Sequence, residues 1–133
     1  MNFLAPFSGP LLSVLRIVSA LLFIAHGTTK LFGFPPTEMF AVAPEPMTLM
    51  WIGGILETFG GALLLVGLFT RPVAFVLSGM MAVAYWMFHA PASTYPVQNG
   101  GDASILFCFV FLYIAAAGGG AWSLDNMLFR KKA

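Results

Sequence analysis

Residues 51–69 read WIGGILETFGGALLLVGLF and carry one charge, Glu57, among apolar residues, glycines and a threonine. At helical rise these nineteen residues span ~29 Å, about the thickness of a bilayer's hydrocarbon core. Gly53, Gly54, Gly60 and Gly61 fall three or four residues to either side of Glu57. Those offsets bring helical neighbours onto one side, and small residues there let backbones approach closely. The glycines and the acid are therefore expected to share one packed face turned toward protein. A carboxylate in a membrane span is expensive and marks a partner or a pathway. What meets Glu57 decides the fold.

The composition agrees with a membrane setting. Apolar residues make up 59% of the 133 and charged residues 8%. Soluble domains carry about a quarter charged residues, so this is an integral membrane protein. Six basic and five acidic residues leave a net charge of +1, no footprint for nucleic acid. The single cysteine, Cys108, excludes an intrachain disulfide and a multi-cysteine metal site.

Four apolar segments, each bounded by Pro, Gly or charge, predict an all-α, single-domain bundle of four transmembrane helices. Their expected spans are about 11–34, 47–69, 72–90 and 103–122. Phe109 to Tyr113 has strand-like propensity, but a lone strand cannot cross lipid. The first segment reads as a retained helix, because it lacks a basic lead and contains Arg16, His26 and Lys30. Basic residues outside the spans set the orientation. Arg71 in the second connection and Arg130, Lys131 and Lys132 after the fourth helix belong on the cytoplasmic side, with both termini. Glu38, Glu45 and Asp102 then face outward, and the chain is expected to be a multi-pass membrane protein.

This topology lets depths be compared. His26 falls ~10–12 Å and Lys30 ~5 Å below the outer end of the first helix, while Glu57 falls ~10–15 Å below that of the second. His26 and Lys30 are four apart and share a face, with Arg16 near the same stripe on the cytoplasmic side. The third helix carries Tyr85 and His89 to its outer end, where Asn99 and Asp102 precede the fourth. The candidate ligand or proton-relay residues are thus Glu57, His26, Lys30, Arg16, His89 and Tyr85. Each also has a plainer role: Glu57 neutralises Lys30 or Arg16 and fixes helix register, and His26 is a hydrogen-bonding core residue. No HExxH-like spacing joins His26, His89 and Glu57, so no metal is expected. Cys108 reads as packing, and Trp51, Trp86 and Trp122 fall at interface levels.

In their order these residues resemble the DoxX family of small membrane proteins. RIVSALLFIAHGTTKLFGF and ETFGGALLLVGLFTRPVA carry the resemblance through Arg16, His26-Gly27, Lys30 and Gly33, then Glu57, Gly60-Gly61, Gly67 and Thr70-Arg71. AWSLDNML near the C-terminus fits as well. The third and fourth helices match mainly in length and character, so His89 and Asp102 draw no support from it. The resemblance implies a four-helix inner-membrane protein, in a family linked to quinone-reducing sulfur oxidation and redox-stress complexes as accessory subunits. No single catalytic mechanism attaches to that family.

Two readings follow. In one, the chain is an accessory subunit of a redox system, its His26, Lys30 and Glu57 cluster binding a quinone headgroup or relaying a proton. The sequence holds no haem, flavin or iron–sulfur motif, so electrons come from a partner subunit. In the other it is a non-catalytic scaffold or assembly factor whose glycine faces pack against a partner or a second copy. The orientation is checked by thiol labelling of intact cells with an impermeant reagent. Glu45→Cys and Asn99→Cys should react and Arg71→Cys should not; labelling at 71 would reverse the topology.

Overall fold

The structure, a computed structural model, describes residues 1–130. The expected cytoplasmic Lys131 and Lys132 lie outside the described residues. Helix α1 spans Ser8–Phe32, after a 3-10 turn over Asn2–Phe7. It stops where Gly33 takes φ 66°, a left-handed value open to glycine, and the Gly33 amide returns to the Thr29 carbonyl at 3.1 Å. Helix α2, Leu49–Val66, starts at Thr48, whose hydroxyl accepts from the Trp51 amide at 3.3 Å. Gly67 ends it, and α3, Thr70–Ala84, begins almost at once with Pro72 in its first turn, where a missing N–H costs nothing.

Past Ala84 the chain makes one wide turn over Tyr85–His89, closed by the Ala90 amide on the Tyr85 carbonyl at 2.9 Å. Pro91 follows directly and, having no N–H to donate, cannot carry the helix on. A short helix α4, Pro96–Asn99, leads into α5, Asp102–Ala117. That helix ends short of the expected 122, because Gly118 (φ 88°, ψ −170°) leaves helical space. Ser123 then caps a separate helix α6, Leu124–Phe129, accepting from the Asn126 amide at 3.1 Å.

The four long helices pack as two intimate pairs, α1 with α2 and α3 with α5, joined where α2 meets α3. Between them lies a small core of Ala20, Phe23, Leu64, Ala74, Leu77, Met81, Phe111 and Ile114. The Phe23 ring meets Phe111 edge-on at 4.9 Å, the preferred aromatic geometry. Most other large apolar side chains, such as Phe59, Phe75, Val76 and Phe109, point outward. A belt of that kind belongs against lipid. The stretches Asn2–Phe32, Leu49–Val66 and Thr70–His89 are long and apolar enough to cross a membrane. Helix α5 is apolar too, but its 16 residues reach only about 24 Å. The chain is the expected all-α membrane bundle, and Phe109 to Tyr113 is helical.

The glycines of α2 do not share one face, contrary to expectation. Each helical step turns by about 100°, so Gly54 and Gly61 lie to one side of Glu57 and Gly53 and Gly60 to the other. A Cβ on Gly61 would meet Ile24 Cγ1 at 2.6 Å and one on Gly54 would meet Leu31 Cδ2 at 3.1 Å, both on α1. Gly60 faces α3, where a Cβ would lie 2.9 Å from Leu77 Cδ2, and Gly53 has nothing within 4 Å. Between α1 and α2 the tightest approach is at Gly27, where a Cβ would come within 2.7 Å of the Thr58 amide nitrogen. Backbone cannot step aside as a side-chain tip can. Gly27→Ala should therefore lower stability by about 1–3 kcal/mol in detergent unfolding. Gly53→Ala should be neutral or stabilising by up to about 1 kcal/mol. Equal stability of Gly27→Ala and the parent would place α1 and α2 further apart than this packing requires.

Candidate functional site

Gly27 admits the α2 backbone, and one turn later α1 presents Lys30 to Glu57. Lys30 Nζ donates to both carboxylate oxygens, each at 2.8 Å. The side chains are 13% and 5% exposed, so the pair is nearly out of reach of solvent. Gly54, three residues before Glu57, leaves room for the Lys30 stem, since a Cβ there would stand 3.2 Å from Lys30 Cβ. From the α1–α2 connection the Phe40 ring approaches the ammonium, its centroid 5.7 Å from Nζ, within cation–π range. Lys30 also sits in the last turn of α1, where the helix dipole favours a cation.

His26 lies one turn before Lys30 and is exposed on the flank of the bundle. Its Nδ1–H donates to the Leu22 carbonyl at 2.7 Å, since a carbonyl only accepts. That leaves Nε2 as the free ring nitrogen. The ring meets Phe107 of α5 edge-on at 5.8 Å and lies within electrostatic reach of Glu57. Of the six sequence candidates, the structure thus gathers three: His26, Lys30 and Glu57.

Arg16 does not reach Glu57. It lies fourteen residues before Lys30 on α1, about 21 Å along the axis, and is 1% exposed. Its guanidinium donates to the carbonyls of Gly119, Trp122 (2.9 Å) and Leu65 (3.4 Å). Ser13 reinforces the knot, donating to the Gly119 carbonyl at 3.1 Å and accepting from the Trp122 amide at 2.9 Å. Asp125 stands nearby, its carboxylate accepting from the amides of Phe69 (2.7 Å) and Thr70 (2.8 Å) at the start of α3. Burial disfavours the Asp125 charge, but the Thr70 and Phe69 hydrogen bonds and the Arg16 cation outweigh it and hold the carboxyl below its ordinary range. Ser13, the glycine carbonyls and Asp125 escaped the sequence reading. Their one signal was a glycine triplet two residues before a serine-capped helix.

Tyr85 and His89 form a third group, at the far end of α3. Their rings stack at 6.4 Å, Asn99 Nδ2 donates to the Tyr85 hydroxyl at 3.3 Å, and His89 Nδ1–H donates to the Asn99 carbonyl at 3.1 Å. These bonds tie the wide turn to α4. Among the described residues no hydrogen bond or ion pair joins this group to Glu57. Asp102 is exposed in the first turn of α5. The Cys108 carbonyl accepts from Ser78 at 2.7 Å, which binds α5 to α3.

Fold and site together define a small all-helical membrane protein with charges paired inside its bundle. The pattern of the DoxX family matches residues 11–90, and the chain belongs to that family. A Haemophilus influenzae protein without a functional name is 41% identical over 98% of this chain and all of its own length. Inner membrane protein YphA of Escherichia coli is 32% identical over 87% of this chain and 89% of its own. CatD of Bacillus subtilis, named as a candidate oxidoreductase, is 25% identical over 90% of this chain and 87% of its own. No solved structure gives a significant match.

Removing one partner of a buried ion pair leaves an uncompensated charge. Glu57→Leu should cost about 3–5 kcal/mol in detergent unfolding, and adding Lys30→Met should recover most of that loss. Adding Arg16→Met instead should deepen it. A Glu57→Leu protein as stable as the parent would deny the pair its structural role.

Proposed function

We propose that the chain is an accessory subunit of a quinone-linked redox system in the inner membrane, with His26, Lys30 and Glu57 binding the quinone's polar head or relaying its proton. The carrying observation is a buried bidentate Lys30–Glu57 pair with an exposed imidazole beside it. Because Leu22 holds Nδ1–H, neutral His26 offers Nε2 as an acceptor toward the lipid-facing flank. There it takes a proton from a hydroxyl, and as imidazolium it donates to a carbonyl oxygen. Glu57 compensates the added positive charge. Phe107, edge-on to His26, supplies an aromatic wall for a planar ring. The partner subunit provides the electrons. The name of the Bacillus subtilis relative supports a redox setting, and that of the Escherichia coli relative supports the inner membrane. In this reading the Glu57 end faces outward and both termini lie in the cytoplasm.

One observation favours a second reading, a non-catalytic scaffold: Lys30 already occupies both Glu57 oxygens. Gentle solubilisation followed by mass spectrometry of bound lipids and proteins separates the two. The redox reading expects quinone and a redox subunit with the parent protein. It also expects quinone content to fall about tenfold in His26→Leu, the worth of one hydrogen bond to a charged group. Equal quinone in both proteins would remove His26 from the site. Protein partners without quinone would favour the scaffold.

A further inference from the structure

The end of the bundle remote from Glu57 opens into a cleft of about 760 Å³. We infer that it binds the phosphodiester headgroup of an anionic phospholipid. The start of α3 forms one wall, the Gly118–Gly120 loop the floor, and α6 with Arg130 the other wall. Two cations line it, Arg71 and Arg130, and neither has an ion-pair partner among the described residues. Arg71 lies over the loop, its Nε 3.4 Å from where a Cβ on Gly118 would stand. The amides of Gly119 and Gly120 have no backbone acceptor among the described residues. Successive free amides in a glycine loop make an anion-binding concavity, and arginine guanidinium groups match phosphate oxygens in pairs.

The acid lining the cleft does not cancel these charges. Asp125 is committed to the Phe69 and Thr70 amides and stands beside buried Arg16. The remaining lining suits a lipid better than a free ion. Leu12, Phe69 and Phe129 border the cleft, and the last two rings are 54% and 60% exposed. Trp122, Met127 and Leu128 also point outward from the same end. Such residues seat α6 in the interface, at headgroup level, with acyl chains running down the apolar flank. Inorganic phosphate would gain nothing from that part of the site.

The test is thermal unfolding and native mass spectrometry of the full chain in detergent. The additions are phosphatidylglycerol, phosphatidylcholine, or inorganic phosphate at matched ionic strength. Phosphatidylglycerol should stabilise the protein and remain bound where phosphatidylcholine does not. Its affinity should fall about fivefold per arginine removed in Arg71→Gln and Arg130→Gln. Arg130 is exposed at the end of α6, so Arg130→Gln alone keeps the fold and reads the effect. Glu38→Gln, in the α1–α2 connection, should change nothing. Equal retention of the two lipids would overturn the assignment. So would equal stabilisation by phosphate alone, or an equal loss in Glu38→Gln.

Discussion

Lys30 and Glu57 can be buried only together. Alone, either charge would face a desolvation cost of several kcal/mol inside the bundle; joined at 2.8 Å through both carboxylate oxygens, they leave little charge unanswered. This requirement fixes how α1 lies on α2. The carboxylate must reach the ammonium, so the backbones must close in one turn earlier, and only a glycine at 27 admits Thr58 there. With that register set, Gly54 and Gly61 fall against α1, and Gly60 is left to receive Leu77 of α3. The apolar core then fills what the polar contact has positioned.

Arg16 is the second constraint, and it is solved differently. Carbonyl oxygens surround it, and the nearest acid, Asp125, is held by the amides of α3. Helical carbonyls point along the axis into the i→i+4 ladder, whereas those of irregular backbone are free to converge on one group. The chain therefore breaks at Gly118 and runs irregularly to Ser123. The truncated α5 and the separate α6 leave between them the Gly119 and Trp122 carbonyls that hold the guanidinium. Irregular backbone is tolerated there because Arg16 and Ser13 engage its carbonyls and the rest of the loop borders the cleft.

Much of this was legible in the sequence. Hydropathy located the four long helices, and rise per residue brought His26 and Glu57 to one depth before any contact was known. What failed was angular. Offsets of three and four were treated as one face, although they straddle Glu57 by about 40–60° on each side, enough to send Gly60 to a different neighbour than Gly61. Arg16 was placed on the stripe of Lys30, but a backbone acceptor leaves no trace in residue identity. The expected fourth span runs through the glycine triplet, where the chain instead leaves the helix and turns the Gly119 carbonyl to Arg16. Tyr85 and His89 were located at the correct end of α3, yet their tie to Asn99 depends on a wide turn that propensity does not encode.

Polar residues at the two ends of α1 have opposite characters, and this bears on where chemistry can occur. The family match ends at residue 90, so it contains both members of the Glu57 pair but none of the Gly119 and Trp122 carbonyls that hold Arg16. Lys30 engages both Glu57 oxygens, and His26 stands within electrostatic reach of the pair, exposed on the flank. At the Glu57 end an exposed imidazole thus flanks a closed ion pair, whereas the Arg16 end is closed by backbone carbonyls.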